Sequence, residues 1–236
     1  MGGVITPTAD LWHHYGRTRH ALDRTVPDRF FWNWGQNAGP GAEALGDVTG
    51  RCVGDLGAGA ARHAAHLAVH HRPSRVFAVD ASPAQHAMAQ DLYGRLASRL
   101  RLVHSDVPRH LHATADSYDV LYSLFGALDF TEPHELLPAA AAALRPGGRL
   151  VFSTLAHHLG GEPAHADVQH TEIGAKTPDG AAATMHRWIL QEQVWTKLLD
   201  EAGFTRISAE TLPGGAGPRA ADTLLVTAFR PGRPAV

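Results

Sequence analysis

Short apolar runs alternate with longer helical patterns between residues 51 and 154, and this alternation limits the fold more than any other feature. Chains that alternate strand and helix build a parallel sheet covered by helices, with right-handed crossovers. The runs predict strands at Arg51–Leu56, Arg75–Val79, Leu100–His104, Tyr118–Leu124 and Arg149–Thr154. Helices long enough to cross between successive strands are predicted at Ala60–His71, Pro83–Ala97 and Glu132–Leu144.

A last helix near Leu190–Ala202 and two strands, Thr205–Ala209 and Thr223–Phe229, complete the pattern. The sequence therefore predicts an α/β domain over residues 49–236, with a mostly parallel seven-stranded sheet and helices on both faces. Residues 156–187 are a Gly-, His- and Ala-rich insertion after the fifth strand, expected to shape a ligand site. Residues 1–48 lie outside the alternation, contain Trp12, Tyr15, Trp32 and Trp34, and are predicted to form a helical cap. Trp12 and Tyr15 are expected either to anchor this cap in the core or to close over a bound ligand.

Composition and charge exclude several classes of protein. The 236 residues are 44% apolar and 19% charged, which is typical of a globular domain, and a net charge of -2 provides no field that attracts nucleic acid or an anionic membrane. The longest apolar stretch, Leu136–Leu144, is half the roughly 20 residues that a membrane-spanning helix needs. Cys52 is the sole cysteine and Met1–Tyr15 has no secretory pattern, so we expect a cytoplasmic protein without an intramolecular disulfide.

A glycine turn, Gly57-Ala58-Gly59, stands where the first predicted strand passes into its helix. In open parallel sheets, ligands bind beyond the carboxyl ends of the strands at such turns. A dinucleotide-binding turn has glycine where this chain has Arg62, and the Asp55 carboxylate repels a pyrophosphate. S-adenosylmethionine carries an ammonium and a sulfonium group and no phosphate, so Asp55 fits that ligand better.

At this point the chain resembles the class I S-adenosylmethionine-dependent methyltransferases. Asp55-Leu56-Gly57-Ala58-Gly59 is similar to the first motif of that family, although Ala61 replaces its third glycine. Further landmarks follow in order to about residue 230: Asp80 after Val76–Val79, Asp106 after Leu102–Ser105, Tyr118–Gly126, Leu144–Leu150 and Trp195–Phe204. The resemblance implies a Rossmann-like fold, S-adenosyl-L-methionine as cofactor, and a methyltransferase activity.

The resemblance also implies which residues bind the cofactor. Asp55, Gly57, Ala58 and Gly59 would form the loop under the methionine part, and Asp80, followed by Ala81, would accept hydrogen bonds from the ribose. An acid about 20 residues after the loop has the same role in other ribose-binding folds, although Asp80 also suits a simple helix cap. For the remaining contacts we expect Asp106 and Val107 at the adenine, Ser123 at the end of the fourth strand, and Tyr15 closing over the cofactor.

Histidines in the insertion are candidates for a catalytic base, because histidine titrates near neutrality. His157 and His158 are the primary candidates, with His165 and His170 nearby; ordinary exposed loop histidines are the alternative. His63, His66 and His70 share one helical face, but no acidic residues alternate with them, so no metal site is predicted. Trp32, Trp34 and Trp188 are predicted to line an apolar acceptor pocket.

The function expected from these features is in-line methyl transfer to a small molecule in bacterial secondary metabolism. A non-catalytic S-adenosylmethionine-binding protein is one alternative. An NAD-dependent oxidoreductase is another, but the Tyr-x-x-x-Lys pattern it would need is absent. Ser123–Gly126 does not resemble the Asn-Pro-Pro-Tyr motif used on nucleobases, so we expect a small-molecule acceptor and neither nucleic acid nor membrane as partner. The sequence leaves the oligomeric state open, with a homodimer as one option.

Overall fold

A seven-stranded sheet forms the centre of the computed structural model, which describes residues 10–16, 25–215 and 220–232. The strand order is β3-β2-β1-β4-β5-β9-β8. The strands are β1 Cys52–Leu56, β2 Arg75–Asp80, β3 Leu100–His104, β4 Tyr118–Leu124, β5 Leu144–Leu155, β8 Thr205–Leu212 and β9 Thr223–Phe229. Strands β1 to β5 pair in parallel, whereas β9 is antiparallel to β5 and to β8.

In the described part of the chain, six α-helices accompany the sheet: α1 Arg62–His70, α2 Pro83–Tyr93, α3 Val107–His112, α4 Ala127–Phe130, α5 Pro133–Ala143 and α6 Glu192–Glu201. Leu67 of α1 and Tyr93 of α2 are buried on one face of the sheet. Leu111 of α3, Leu137 of α5 and Trp195 of α6 are buried on the other. The structure thus confirms the predicted mostly parallel, Rossmann-like sheet with helices on both faces.

Polar side chains begin several of these helices. Ser82 accepts a hydrogen bond from the backbone N–H of Gln85 at 3.1 Å, and Pro83 occupies the first turn of α2, where its fixed φ is favourable. Asp106 and Glu132 cap α3 and α5 in the same way. These caps place the helix N-termini at the carboxyl edge of the sheet.

The insertion contains a β-hairpin that the sequence did not predict. Its strands are β6 Thr171–Lys176 and β7 Ala182–Arg187, which pair with each other as a separate two-stranded sheet. Ile173 lies opposite Met185 on the half-buried face of this hairpin, and exposed residues alternate with them. The period-two pattern was hidden because small residues occupy most of its positions.

The described part of the predicted cap, residues 10–16 and 25–48, differs from the helical expectation. It contains turns and one 3-10 segment, Ala42–Leu45, and no α-helix. Pro27, Pro40 and the glycines between residues 35 and 46 interrupt helical hydrogen bonding there. Trp32 anchors this segment instead: its side chain is fully buried and its Nε1 donates to the Gly41 carbonyl at 2.8 Å.

Within the described residues, no helix is both long and apolar enough to cross a membrane.

Candidate functional site

The glycine turn after β1 is held closely against neighbouring backbone. Gly57 has a φ of 76°, and a Cβ there would approach the backbone nitrogen of Ala127 to 2.3 Å, so only glycine fits. The N–H groups of Gly57 and Ala58 donate to the Val79 carbonyl at 2.9 and 3.0 Å. At Gly59, by contrast, a Cβ would meet nothing nearer than the Gln85 side chain at 3.5 Å. The turn is therefore tightly packed at Gly57, whereas Gly59 has room for a Cβ.

Asp55 lies at the end of β1, beneath this turn. The side chain is 3% exposed, and its Oδ2 accepts a hydrogen bond from the Tyr122 hydroxyl at 2.8 Å. Burial raises the pKa of the Asp55 carboxyl to about 7, and the negative charge of Asp80 acts in the same direction. Hydrogen bonds from Tyr122 and from the backbone N–H of Ala64 offset part of this shift in pKa. The Asp55 carboxyl therefore changes its charge near neutral pH.

Asp80 joins the glycine turn to the start of α2. Its Oδ2 accepts from the Gly59 N–H at 2.7 Å, and its Oδ1 accepts from the Ser82 N–H at 2.9 Å. Burial raises the pKa of the Asp80 carboxyl, while these two hydrogen bonds lower it. Each carboxylate oxygen has a second lone pair, so Asp80 retains acceptor capacity for a ligand hydroxyl. Ala81 beside it is exposed.

Three further predicted residues lie at the carboxyl ends of β3 and β4: Asp106, Val107 and Ser123. The Asp106 side chain is exposed, and its Oδ1 accepts from the Arg109 N–H at 3.1 Å, while Val107 is buried at the start of α3. Ser123 is fully buried, and its hydroxyl donates to the Leu56 carbonyl at 2.8 Å. Ser123 thus ties β4 to β1. The carboxyl edge of the sheet brings these residues into one row with the glycine turn, Asp55 and Asp80.

Residues 10–16 lie across this edge. The Asp10 carboxylate accepts from the Ser82 hydroxyl at 3.0 Å and from the Ala84 N–H at 3.2 Å. Gln85 donates to the carbonyls of Trp12 and Tyr15 at 3.0 and 2.9 Å. The Tyr15 side chain itself is 61% exposed and packs edge-on against the Trp12 ring, so Tyr15 reaches the α2 end of the site through its carbonyl. Reasoning from the sequence missed Asp10 and Gln85, since neither belongs to a motif.

The two candidate bases differ in how their rings are engaged. His157 Nδ1 lies 2.8 Å from the His158 carbonyl, and its Nε2 accepts from the Asp222 N–H at 3.1 Å, so backbone groups engage both nitrogens. The half-buried His158 ring packs edge-on against His165, with centroids 5.0 Å apart. Burial lowers the pKa of His158, and neighbouring positive charges, including Arg187, lower it further. Burial and these charges therefore favour the neutral form of the His158 ring.

A buried ion pair joins α4 to the hairpin. Arg187 at the end of β7 is 5% exposed, and its Nε donates to Oδ2 of the fully buried Asp129 at 2.9 Å. The guanidinium also lies over two rings, 5.0 Å from the centroid of Trp34 and 5.3 Å from that of Phe130. Nothing in the sequence indicated this pair, because its members are 58 positions apart and the hairpin was not predicted.

The three tryptophans predicted to line an acceptor pocket lie in different places. Trp34 is half-buried and packs edge-on against Phe125, which follows β4, at 5.0 Å between centroids. Trp32 is fully buried in the core beside Tyr122, and Trp188 is 7% exposed beside α6. Of the three, Trp34 alone combines partial exposure with a position at the end of β4.

His66 on α1 bonds to protein groups. Its Nδ1 lies 2.7 Å from the Pro27 carbonyl and its Nε2 lies 3.1 Å from His71 Nε2. Across the part of the chain that the structure describes, no three His, Cys, Asp or Glu side chains are grouped so that they could hold a metal ion.

The edge fits S-adenosylmethionine better than a dinucleotide. The buried Asp55 carboxyl lies near the end of β1, two residues before Gly57, and in its ionised form it stabilises a cation and repels a pyrophosphate. Asp80 has acceptor capacity for ribose hydroxyls, and the cap of α3 at Asp106 provides an exposed acid one strand further along.

Comparisons with known proteins agree with this reading. Residues 53–148 match a family described as a methyltransferase domain. No curated protein matches the chain. Among solved structures, an S-adenosylmethionine-dependent methyltransferase from Mesorhizobium loti is 22% identical, with a TM-score of 0.55, over 79% of this chain and 94% of that one. One from Listeria monocytogenes is 17% identical, with a TM-score of 0.59, over 79% and 93%.

A third structure covers more of the chain. It is 1,6-didemethyltoxoflavin-N1-methyltransferase from Burkholderia thailandensis, with 1,6-didemethyltoxoflavin and S-adenosylhomocysteine bound. It is 20% identical, with a TM-score of 0.53, over 94% of this chain and 81% of that one. The shared fold and the methyltransferase domain matched at residues 53–148 agree with the resemblance seen in the motifs: this part of the chain belongs to a methyltransferase domain.

Proposed function

We propose that the chain transfers the methyl group of S-adenosylmethionine to a small-molecule acceptor bound between α4, the hairpin and residues 10–16. The observation that carries this proposal is a bridge over the site: His14 Nε2 lies 3.0 Å from the Thr177 carbonyl at the tip of the hairpin. Residues 10–16 therefore run from α2 to the hairpin across the carboxyl edge. An edge spanned in this way suits a small acceptor better than a nucleic acid or a folded protein.

The contacts at the carboxyl edge of the sheet support the following roles for residues in cofactor binding. We assign Asp80 to the ribose hydroxyls, Asp106 and the Val107 N–H to the adenine, and Asp55 with Gly57, Ala58 and Gly59 to the methionine part. Ser123 acts indirectly, because its hydroxyl holds the end of β4 against β1. Tyr15 contributes by fastening residues 10–16 to Gln85. S-adenosylmethionine supplies a methyl group on a positively charged sulfur, which keeps the electron pair of the broken bond.

The residues of the chain then have two tasks. They orient the acceptor so that its lone pair points at the methyl carbon, and they exclude water from the path, which together account for most of the rate enhancement expected of such a transfer. When the attacking oxygen or nitrogen carries a proton, the neutral ring of His158 accepts it. The depressed pKa of His158 keeps that ring unprotonated at neutral pH.

The comparison structures support a small acceptor. The Burkholderia thailandensis relative has 1,6-didemethyltoxoflavin bound, and it spans most of this chain. Several neighbours come from bacteria, which supports a place in bacterial small-molecule metabolism.

Methyl transfer from radiolabelled cofactor into a metabolite extract tests the proposal. We expect labelled small molecules and release of S-adenosylhomocysteine. Asp80→Asn should weaken cofactor binding by about 1–3 kcal/mol, since hydrogen bonds to a charged acceptor are lost. Asp200→Asn, at an exposed position of α6, is the matched control. Cofactor binding without any labelled product would instead identify a non-catalytic binding protein.

A further inference from the structure

The amino-terminal edge of the sheet, opposite the glycine turn, carries a row of arginines. They lie at or beside the strand ends: Arg99 at β3, Arg75 at β2, Arg51 at β1, Arg145 and Arg149 at β5, Arg230 at β9 and Arg206 at β8. Because β9 is antiparallel to its neighbours, its last residues lie at this edge. All of these side chains are exposed or half-buried. Since the whole chain has a net charge of -2, positive charge is concentrated at this edge against the overall balance.

A pocket opens within this row, between β1, β4, β5 and the end of β9. Its volume is about 170 Å³, and its charged lining residues are Arg51, Arg145, Arg149, Asp47 and Asp119. Pockets for drug-sized ligands have volumes of roughly 300–1,000 Å³. Because the pocket is smaller and arginine exceeds aspartate in its lining, it is suited to a small anion or to one anionic group of a larger ligand.

Irregularities in two strands shape the pocket. The pairing of β4 with β5 is interrupted, and residues 145–148 bulge out of β5 to form one wall. In β8 the register shifts after Thr205, and Arg206 has a φ of 49°, which is strained for a non-glycine residue. Such bulges redirect side chains. Here the Arg206 Cζ lies 3.9 Å from the centroid of the Phe229 ring, which lines the pocket.

Arg149 brings an uncompensated charge to the pocket. Its Nη1 donates to the Ala44 carbonyl at 3.3 Å, and its Cζ lies 4.8 Å from the centroid of the same Phe229 ring. Among the described residues, no carboxylate lies within hydrogen-bonding or ion-pair distance of the guanidinium of Arg149 or of Arg206. Burial and the positive charge of Arg206 lower the pKa of Arg149, although arginine remains charged. An anion beside Arg149 would therefore gain an unpaired counter-charge.

The two aspartates of the pocket already have partners. Asp119 Oδ2 accepts from Arg145 Nη1 at 2.7 Å and from the Cys52 N–H at 2.8 Å. Arg51 Nη1 lies 3.7 Å from Asp119 Oδ1, and Asp47 accepts from a backbone N–H at 2.9 Å. Each guanidinium has several N–H donors, so Arg51 and Arg145 keep donors for a ligand while Asp119 limits its affinity.

We infer that this pocket binds a phosphate monoester group through Arg149 and Arg145. A phosphate monoester carries about two negative charges at neutral pH, and its terminal oxygens match the donors of a guanidinium. Asp55 lies roughly 13 Å from Arg51 along β1, at about 3.3 Å per residue, so the ligand does not reach the glycine turn. This second site lies at the opposite edge of the sheet from the proposed cofactor site and does not depend on the proposed function.

Methyl phosphate and methyl sulfate, which have the same shape and different charges, test the inference. Each is titrated into full-length protein at pH 8 and constant ionic strength, and binding is followed by the relaxation of the methyl protons of the probe. We expect one methyl phosphate per chain, bound at least about fivefold more tightly than methyl sulfate because its charge is nearly twice as large. Saturation with S-adenosylhomocysteine should leave this affinity unchanged. Equal affinities of the two probes, no saturable binding of methyl phosphate, or competition with S-adenosylhomocysteine would overturn the inference.

Two variants change the pocket in opposite directions. Arg149→Gln should weaken methyl phosphate binding at least about fivefold, because a charged donor is lost. Asp119→Asn should strengthen it about threefold or more, because a competing charge is removed while the amide oxygen still accepts from Cys52. A gain in affinity cannot result from misfolding. Arg29→Gln, at an exposed position near the start of α1, is the control and should leave the affinity unchanged. Unchanged affinity in either pocket variant, or weaker binding in Asp119→Asn, would refute the role of the pocket.

Vesicles separate the two sources of a phosphate monoester, a phosphorylated small molecule and a lipid headgroup. Phosphatidylcholine vesicles with and without phosphatidate are sedimented with the protein. Co-sedimentation that needs phosphatidate and is displaced by methyl phosphate identifies the headgroup, whereas methyl phosphate binding without co-sedimentation identifies a soluble compound. Co-sedimentation that methyl phosphate fails to displace would overturn the inference, because the arginine row would then act as a general basic surface.

Discussion

Binding of S-adenosylmethionine should release a proton from Asp55. The Asp55 carboxyl is buried under the glycine turn, and burial raises its pKa to about 7. In the free protein it is therefore about nine-tenths protonated at pH 6, half protonated at pH 7 and one-tenth protonated at pH 8. A cation bound on the turn favours the ionised form, so the proton must leave when the cofactor binds.

The size of the effect follows from that pKa. If the bound cation lowers the pKa of Asp55 by two units, about 0.8 proton is released per cofactor at pH 6, about 0.5 at pH 7 and about 0.1 at pH 8. Cofactor affinity then rises up to tenfold per pH unit below pH 7 and levels off above it. Asp55→Asn has no proton to release, so its affinity should vary far less across this range.

Calorimetric titrations with S-adenosylmethionine, in pairs of buffers that differ in ionisation enthalpy, count the protons at each pH. Tyr122→Phe is an informative control, because it removes a hydrogen bond that lowers the pKa of Asp55 and should move the release to higher pH. Proton release that is absent from the unmodified protein, or the same in Asp55→Asn, would show that the carboxylate does not sense the cofactor.

Three further predictions concern folding and are checked by chemical unfolding. Relative to Asp55→Asn, the unmodified protein should lose about 3 kcal/mol of stability between pH 4 and pH 7. The pKa of the Asp55 carboxyl in the folded protein, about 7, lies above its ordinary value of 3.8, so the stability that the protonated group provides at low pH disappears as the carboxyl ionises. A difference that does not change with pH would contradict the buried carboxyl. Ala61→Gly should stabilise the fold by up to about 1 kcal/mol, because Ala61 has a φ of 60°. Ala60→Gly, at the neighbouring position, should destabilise the fold by about 1 kcal/mol. Equal losses of stability in the two variants would argue against the strained turn. Asp129→Ala should lower the free energy of unfolding by about 3–5 kcal/mol, because Arg187 is left buried and unpaired. The double variant with Asp129→Asn and Arg187→Gln should lose less stability, and the opposite order would refute the buried pair.

The central sheet could be predicted from the sequence because its signals are local. The strands Leu100–His104, Tyr118–Leu124 and Thr223–Phe229 occur at the predicted bounds, and α2 begins at Pro83 behind its Ser82 cap. The same local signals failed in residues 25–48, where a helical segment was predicted and prolines and glycines impose turns. Tertiary packing of Trp32, not helical periodicity, holds that segment.

The row of residues at the carboxyl edge of the sheet could also be predicted, because each residue follows a strand and parallel strands bring their carboxyl ends together. The contacts around the hairpin could not be predicted. Asp129 and Arg187 meet only when the hairpin folds onto α4, and His157 and His158 are equivalent in sequence but differ in hydrogen bonding. These relations depend on contacts between segments far apart in the chain, which no local pattern encodes.

Comparison of the binding of two ligands tests whether the turn over Asp55 binds a cation in preference to a pyrophosphate. The unmodified protein is titrated separately with S-adenosylmethionine and with NAD at pH 7.5. We predict one bound S-adenosylmethionine per chain, weakened by Asp80→Asn, and no measurable heat from NAD. Binding of NAD that Asp80→Asn weakens, or no binding of S-adenosylmethionine, would contradict this account.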